Sequence, residues 1–349
     1  MTIDQQIKCW SELGKILFAH ANKESWKPEI SFISEEQYLD FEKTIVETFY
    51  YNGWFDEAHV RQSLLEISSW LTKEKLTDWI MKYGNQKISE SIIVIIMAGN
   101  IPIVGFHDLL CVLLSGFKAK VKLSSEDNKL IPGIIKYLEI ISPVLVERIL
   151  FTDRNIGDYD AIIATGDNLS NQSFQTYFSK KPHLFRNHRT SIAILNGQES
   201  QKEITELGED IFKYYGRGCR NVTHLCVPKG FNLELIFKGI YPFANVIQNK
   251  KYGNNYDYNK AIHLMNQEEI LDNNFVLLKK TTSLHAPIAM LYYHEYNNKS
   301  DLDAFIEENK NEIQCIIGNG YLSFGSAQKP RLNDYADNID TMQWLLNLQ

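Results

Sequence analysis

Hydrophobic positions divide the chain into two textures. Up to about Tyr83 apolar residues recur at spacings of three and four, as in FDEAHVRQSLLEISSWLTKEKLTDWIMKYG, and this predicts amphipathic helices that stop at Gly84. From Ser91 the pattern changes to short continuous apolar runs. SIIVIIM, AKVKL, RILFT and DAIIATG have strand length, and apolar helical stretches, VGFHDLLCVLLSGF and NKLIPGIIKYLEII, separate the first three of them. Strands buried on both faces and alternating with helices predict a doubly wound parallel sheet. In such a sheet ligands lie at the carboxyl ends of the strands, so the AGNIP loop (98–102) and the ATGDN loop (164–168) fall on the expected ligand side.

After about Arg186 the alternation restarts. TSIAILN, THLCVP, FVLLK, IAMLYYHEY and IQCIIG read as strands, and EITELGEDIFKYY, a stretch near NKAIHLMN and DLDAFIEENK as helices. The expected organisation is a helical N-terminus with a nucleotide-type α/β domain over 1–186, a second α/β domain over 187–295, and a C-terminal segment, 296–349, that returns to the first.

With 44% hydrophobic and 23% charged residues the 349-residue chain has the composition of a globular protein with a large core. A net charge of -7 supplies no general attraction for nucleic acid. The run from Ser91 to Phe117 is interrupted by Gly99, Asn100, Pro102, His107 and Asp108, so it falls short of the roughly 18 apolar residues of a membrane span. The N-terminus lacks the basic patch and apolar core of a secretory signal. Five scattered cysteines, 9, 111, 219, 226 and 315, fit reduced thiols and a cytoplasmic setting.

Cys219 has the strongest local case for chemistry. In YYGRGCRN it stands between Arg217 and Arg220, cations that favour a thiolate, and behind Gly216 and Gly218, which permit close approach of a substrate. The competing reading is an ordinary loop cysteine. Cys226 and Cys111 lie inside apolar patterns and read as core. A metal site from Cys219, His224 and Cys226 is disfavoured, because zinc sites take three or four ligands with loop geometry, His224 and Cys226 share one face of an expected strand and no second Cys/His cluster is evident, and no metal is expected. Asn100 is either a turn residue or an amide donor for an oxyanion at the end of a buried strand. Lys180, Lys181, His183, Arg186, His188 and Arg189 form a basic run, either solvated or a landing place for phosphates.

Taken together, MAGNIPIVGFHDLLCVLLSGFKAKVKLSSED, DAIIATGD, GRGC and the closing FGSAQKPRLNDYADNIDTMQWLL resemble the LuxC-type fatty acyl-CoA reductases, a branch of the aldehyde-dehydrogenase superfamily, over roughly residues 85–346. The resemblance implies that superfamily's fold, with a doubly wound parallel cofactor-binding sheet and a second α/β catalytic domain. It also implies NADPH-dependent reduction of a fatty acyl-CoA to an aldehyde through an acyl-cysteine. Its roles would fall on Cys219 as nucleophile, Asn100 as oxyanion donor, Lys122 and Ser125 at the cofactor ribose, and Thr165 and Gly166 on the nicotinamide loop. Arg217 and Arg220 would face the CoA substrate. Two departures stand out. The later glycine of the nicotinamide loop is Ser170 or Asn171 here, and SLHAPIAML occupies the place of a ribose-binding glutamate. Phe185 falls where acid-forming relatives carry a water-activating glutamate. Another activated acyl group, such as an acyl carrier protein thioester or an acyl phosphate, remains an alternative substrate, and a non-catalytic acyl-binding scaffold an alternative role. A homo-oligomer or a complex with an acyl-supplying enzyme is compatible with either.

Overall fold

The computed structural model describes residues 1–28, 32–84, 86–153, 155–166 and 168–349, the side chains at 168 and 169 excepted. Asp167 of the ATGDN loop therefore lies outside the described residues. The chain forms two units, Met1–Asn187 with Arg331–Gln349, and His188–Pro330.

The first unit begins with four helices, α1 (Ile3–Ala21), α2 (Glu35–Tyr51), α3 (Glu57–Trp70) and α4 (Lys73–Ile80). Capping boxes start α1 and α2: Thr2 with Gln5 and Ser34 with Gln37 exchange side-chain and backbone hydrogen bonds. Then come β1 (Ile92–Ile96), α5 (Phe106–Leu114), β2 (Lys118–Lys122), α6 (Leu130–Ile141), α7 (Pro143–Val146), β3 (Ile149–Phe151), β4 (Ala161–Thr165), α8 (Asn168–Phe178) and β5 (His183–Arg186). The sheet order is β3-β2-β1-β4-β5, parallel throughout. Because β2 and β4 leave β1 on opposite sides, the topological switch point falls between β1 and β4. Trp10 of α1 meets Phe106 of α5 edge to face at 5.8 Å, and His20 donates or accepts at Tyr137 of α6, so the N-terminal helices pack on α5 and α6. The α8 rings Phe174 and Phe178 pack against Val94, Ile96, Ile162 and Ala164 of the sheet.

The second unit holds β6 (Thr190–Ile194), α9 (Gln201–Phe212), β7 (Val222–Pro228), α10 (Glu234–Ile240), α11 (Lys250–Met265), β8 (Leu271–Asp272), β9 (Leu277–Lys280), β10 (Met290–Tyr296), α12 (Lys299–Asn309) and β11 (Ile313–Gly318). Its sheet order is β11-β6-β7-β10-β9-β8, parallel except for the short β8–β9 pair. The expected return of the chain at residue 296 is corrected by this pairing. β11 bonds β6, which holds residues up to Pro330 in the second unit.

The final residues, including α13 (Thr341–Leu346), are strapped to the first unit by polar contacts. His107 donates to Leu332 O at 2.8 Å, Trp79 Nε1 to the Tyr335 hydroxyl at 2.9 Å, and the Tyr83 hydroxyl to Asp340 at 2.8 Å. Among the described residues no helix is long and apolar enough to cross a membrane.

Candidate functional site

Cys219 lies between α9 and the amino end of β7, partly exposed. The chain arrives there through three consecutive left-handed residues: Tyr214 and Tyr215 at φ 52° and 57°, then Gly216 at 75°. For the two tyrosines that conformation costs roughly 1–2 kcal/mol each, so neighbouring contacts must hold it. Asn221 is the restraint. Fully buried, it donates its side-chain amide to Asp210 O (3.1 Å), Ile211 O (3.1 Å) and Lys213 O (2.9 Å), the last carbonyls of α9 and the first of the turn. Its Oδ1 accepts from Gly218 N at 2.8 Å. One side chain thus closes both ends of the segment that presents Cys219.

The Cys219 carbonyl accepts from Ser191 Oγ of β6 at 3.1 Å. Ser191 Oγ also lies 3.0 Å from Cys315 Sγ of β11. Since the serine proton is used at Cys219 O, the Cys315 thiol is the donor in that second contact. Arg220 donates Nε to Ala327 O, and fully buried Asp210 accepts from Gly325 N (2.7 Å) and Ala327 N (2.8 Å). Burial pushes the Asp210 carboxyl up to about 6, against the lowering effect of those two amides. The FGSA stretch of the closing motif is thereby fastened to α9 and to the Cys219 loop. Arg220 braces the loop through its Nε, and Arg217 and Arg220 are both partly exposed.

Asn100 sits in the loop after β1, four residues past its end and partly exposed. Two features shape that loop. Gly99 comes so close to the turn after β2 that an added Cβ would stand 2.5 Å from Ser124 Oγ, so only glycine fits. Ile103, left-handed at φ 61°, donates its N–H to Asp127 Oδ2 at 2.7 Å. Asp127 is buried, and burial pushes its carboxyl up to about 6, partly offset by the amides of Ile103 and Leu130. A folded-state value above the unfolded one makes the contribution to stability greatest below about 4 and lost as pH rises through about 6. Asp127→Asn keeps an acceptor for Ile103 and removes the titration. Its unfolding free energy is expected to lose about 1 kcal/mol less than the wild type between pH 5 and pH 7, measured by urea titration at both values. An equal loss in both proteins would contradict the assignment.

Lys122 ends β2, its backbone carbonyl accepting from Met97 N at 3.0 Å, and Ser125 is exposed three residues later. Thr165 ends β4 and Gly166 follows, so both flank the switch point. An added Cβ at Gly166 would stand 2.6 Å from Ser170 Cβ and 3.0 Å from Phe174, which shows how closely the first turn of α8 covers it. Asn171 is engaged elsewhere: its amide donates to Arg186 O at 2.8 Å.

The basic run is dispersed by the fold. Arg186 is buried and bonded to Asp108 (2.6 Å), Ala336 O (2.9 Å) and Thr341 Oγ1 (2.8 Å), so it clamps the C-terminal segment and is no landing place for phosphate. Lys181 lies over the Tyr159 ring, and His183 stacks on Phe185 at 4.3 Å. Phe185 packs on Phe174 and the sheet. From residue 168 to residue 198 the sequence holds no acidic side chain. In SLHAPIAML, Leu284 enters the apolar core and Ser283 O accepts from His224 Nδ1 at 2.8 Å. Cys226 is fully buried, its thiol pushed up to about 12, and Cys111 is likewise buried with its thiol pushed up; neither resembles an activated nucleophile.

Asn221, Asp210, Ser191 and Asp127 were not legible as site residues, because each acts on backbone groups brought near only by folding. The one local signal was Asn221 itself, a polar residue just before an apolar strand.

No family model matches the chain, and no curated protein matches its sequence. Solved structures do match. Indole-3-acetaldehyde dehydrogenase AldA from P. syringae, a complex with NAD+, aligns with 91% of this chain and 72% of its own at TM-score 0.64 and 9% identity. An aldehyde dehydrogenase from Bacillus cereus aligns over the same shares at TM-score 0.63 and 14% identity. The aldehyde dehydrogenase KauB from Pseudomonas aeruginosa does so at TM-score 0.62 and 11% identity. At these identities the likeness is one of fold: two α/β units of the aldehyde-dehydrogenase type.

Proposed function

We propose that this chain is a nicotinamide-dependent oxidoreductase of the acyl/aldehyde couple that reduces a fatty acyl-CoA to the aldehyde through an acyl group on Cys219. The observation that carries the reading is the Cys219 turn: strained backbone at 214–216, pinned by a buried Asn221, is a structure that presents one thiol in a defined place. The fold shared with NAD+-bound aldehyde dehydrogenases supports the redox class.

A dinucleotide fits the donors at the carboxyl edge of the first sheet. Lys122 and Ser125 stand at the end of β2, an ammonium and a hydroxyl suited to ribose oxygens or a phosphate, and Thr165 and Gly166 stand beside the switch point. When bound, a reduced nicotinamide supplies hydride. The chain's own residues do the rest. The Cys219 thiolate attacks the thioester carbon, the carbonyl electrons move onto oxygen, and collapse expels CoA as its thiolate, leaving acyl-Cys219. Asn100 is the amide donor for that oxyanion, and Arg217 favours the thiolate and attracts the anionic CoA. After reduction the sulfur leaves again and the aldehyde is released.

The absence of a carboxylate from residue 168 to residue 198, with Phe185 held in an apolar layer, leaves that stretch without the acidic side chain that would activate water, and with His183 and His188 as its only other candidate bases. Incubation with acyl-CoA alone is therefore expected to yield a slowly hydrolysed acyl-enzyme, found by mass spectrometry on the peptide of Cys219. Adding NADPH should discharge it as aldehyde. Prompt release of free fatty acid without cofactor would contradict the proposal. An acyl-enzyme formed from an acyl phosphate or carrier-protein thioester but not from acyl-CoA would keep the chemistry and change the donor.

NADPH is the cofactor in this reading. Ser125 presents a hydroxyl where a carboxylate would repel a 2′-phosphate. Ser125→Glu is expected to shift the ratio of kcat/KM for NADPH over NADH towards NADH by roughly tenfold or more, about 1.4 kcal/mol of discrimination. An unchanged ratio would place the 2′-phosphate elsewhere.

A further inference from the structure

A second group of chemically capable side chains lies inside the other part of the second sheet. Strand alternation puts His224 and Cys226 on one face of β7, and the parallel register sets His294 of β10 directly opposite Cys226. One ligand atom from each of the three falls within 4.8 Å of the others, and His224 Nε2 is 2.6 Å from His294 Nδ1. His224 and Cys226 are fully buried. Phe305 of α12 covers both imidazoles, with ring centroids 5.3 and 4.1 Å away, and Cys226 shares an apolar cluster with Ile192, Ile194, Leu302 and Phe305.

The tautomers follow from the contacts. His224 Nδ1 donates to Ser283 O at 2.8 Å, which leaves its Nε2 lone pair to accept from His294 Nδ1. An imidazole whose far nitrogen is fixed by a backbone carbonyl is the outer-shell arrangement typical of metal-ligating histidines. We propose that His224, Cys226 and His294 form a three-coordinate site for a soft monovalent cation, Cu(I).

Charge and ligand number select the ion. Thiolate and imidazole are soft and borderline donors. Cys226 as thiolate with Cu(I) is neutral overall, whereas a divalent ion would leave a net positive charge among Ile192, Ile194, Leu302 and Phe305, where an uncompensated charge is costly. Zinc also favours four ligands, and three converge here. Binding releases one proton, from Cys226 Sγ, and the ring proton of His294 moves from Nδ1 to Nε2; no electron is transferred. With metal–nitrogen bonds of about 2.0 Å, the two imidazole nitrogens must separate to roughly 3.5 Å, a shift the half-buried His294 can make at its side of the pair.

The test uses the full-length chain with Cys9, Cys219 and Cys315 replaced by serine, which leaves only the two buried thiols. Titrated anaerobically with Cu(I) in competition with bicinchoninate, it is expected to take up one equivalent and release one proton. Copper X-ray absorption should show one sulfur and two nitrogen neighbours. Cys226→Ser and His294→Gln should each weaken uptake by about 100-fold or more, with the far-ultraviolet circular dichroism unchanged in at least His294→Gln. No uptake, uptake unaffected by both substitutions, or preference for Zn(II) over Cu(I) in the same competition would overturn the proposal.

Discussion

Cys219→Ala is expected to lower aldehyde formation from acyl-CoA by about 10⁴-fold or more, with the folded structure and dinucleotide binding intact. The loop explains why so local a change should be so selective. The bonds that shape it from the backbone and its neighbours do not involve the sulfur: Ser191 bonds the Cys219 carbonyl, Asn221 bonds Gly218 N and the carbonyls of 210, 211 and 213. Alanine keeps all of these and deletes only the sulfur that forms the covalent bond. The contrast is Cys226→Ala, which opens space in the apolar cluster of the second unit and should lower stability by roughly 1–2 kcal/mol through packing. Steady-state aldehyde assays, thermal unfolding and a dinucleotide fluorescence titration on both variants separate the two cases. Wild-type turnover in Cys219→Ala would remove the proposed mechanism.

Asn221→Leu carries the largest expected effect on stability. The side chains are similar in volume, yet leucine leaves Gly218 N and the carbonyls of Asp210, Ile211 and Lys213 without the partner that satisfies them. Each stranded buried group costs about 1–3 kcal/mol, and water reaching some of them brings the expected loss to about 3–5 kcal/mol. Tyr214 and Tyr215 would then lose the amide bonds that flank their left-handed backbone, and the thiol of Cys219 would be displaced. At a temperature where the variant stays folded, kcat is expected to fall at least about 100-fold, with KM for acyl-CoA changing far less, because Asn221 acts through the loop. Asn221→Asp should recover part of the loss at acid pH, where a protonated carboxyl both donates and accepts. A stable, fully active Asn221→Leu enzyme would show that the turn holds itself.

Much of the fold was readable from local pattern. The continuous apolar runs of β1 and β4 announce strands buried on both faces, and Gly84 at φ 68° ends the N-terminal helices where the periodicity stops. The strand β5, His-Leu-Phe-Arg, was not readable as such, because its two apolar residues are flanked by basic side chains that look like a solvated run. Its identity comes from pairing with β4. The helix α8, Asn-Leu-Ser-Asn-Gln-Ser-Phe-Gln-Thr-Tyr-Phe, hides for a similar reason: its mostly polar composition masks the two phenylalanines that meet the sheet. The first part of α11, Lys-Lys-Tyr-Gly-Asn-Asn, shows no apolar period at all.

By itself the sequence determined which segments alternate between strand and helix, that Asn100 follows a buried strand, and that Cys219 stands in a glycine-rich turn between arginines. These depend on neighbours within a few residues, where periodicity and backbone preference act. Tertiary structure alone decided what long-range pairing decides. It drew Arg186 out of a basic run and into a buried clamp on Asp108 and Thr341, fastened Gly325 and Ala327 to Asp210, and set His294 across from Cys226. It also made Asn221 the restraint on Cys219, because hydrogen-bond satisfaction in a buried turn depends on which carbonyls the fold leaves without partners, and no local spacing encodes that.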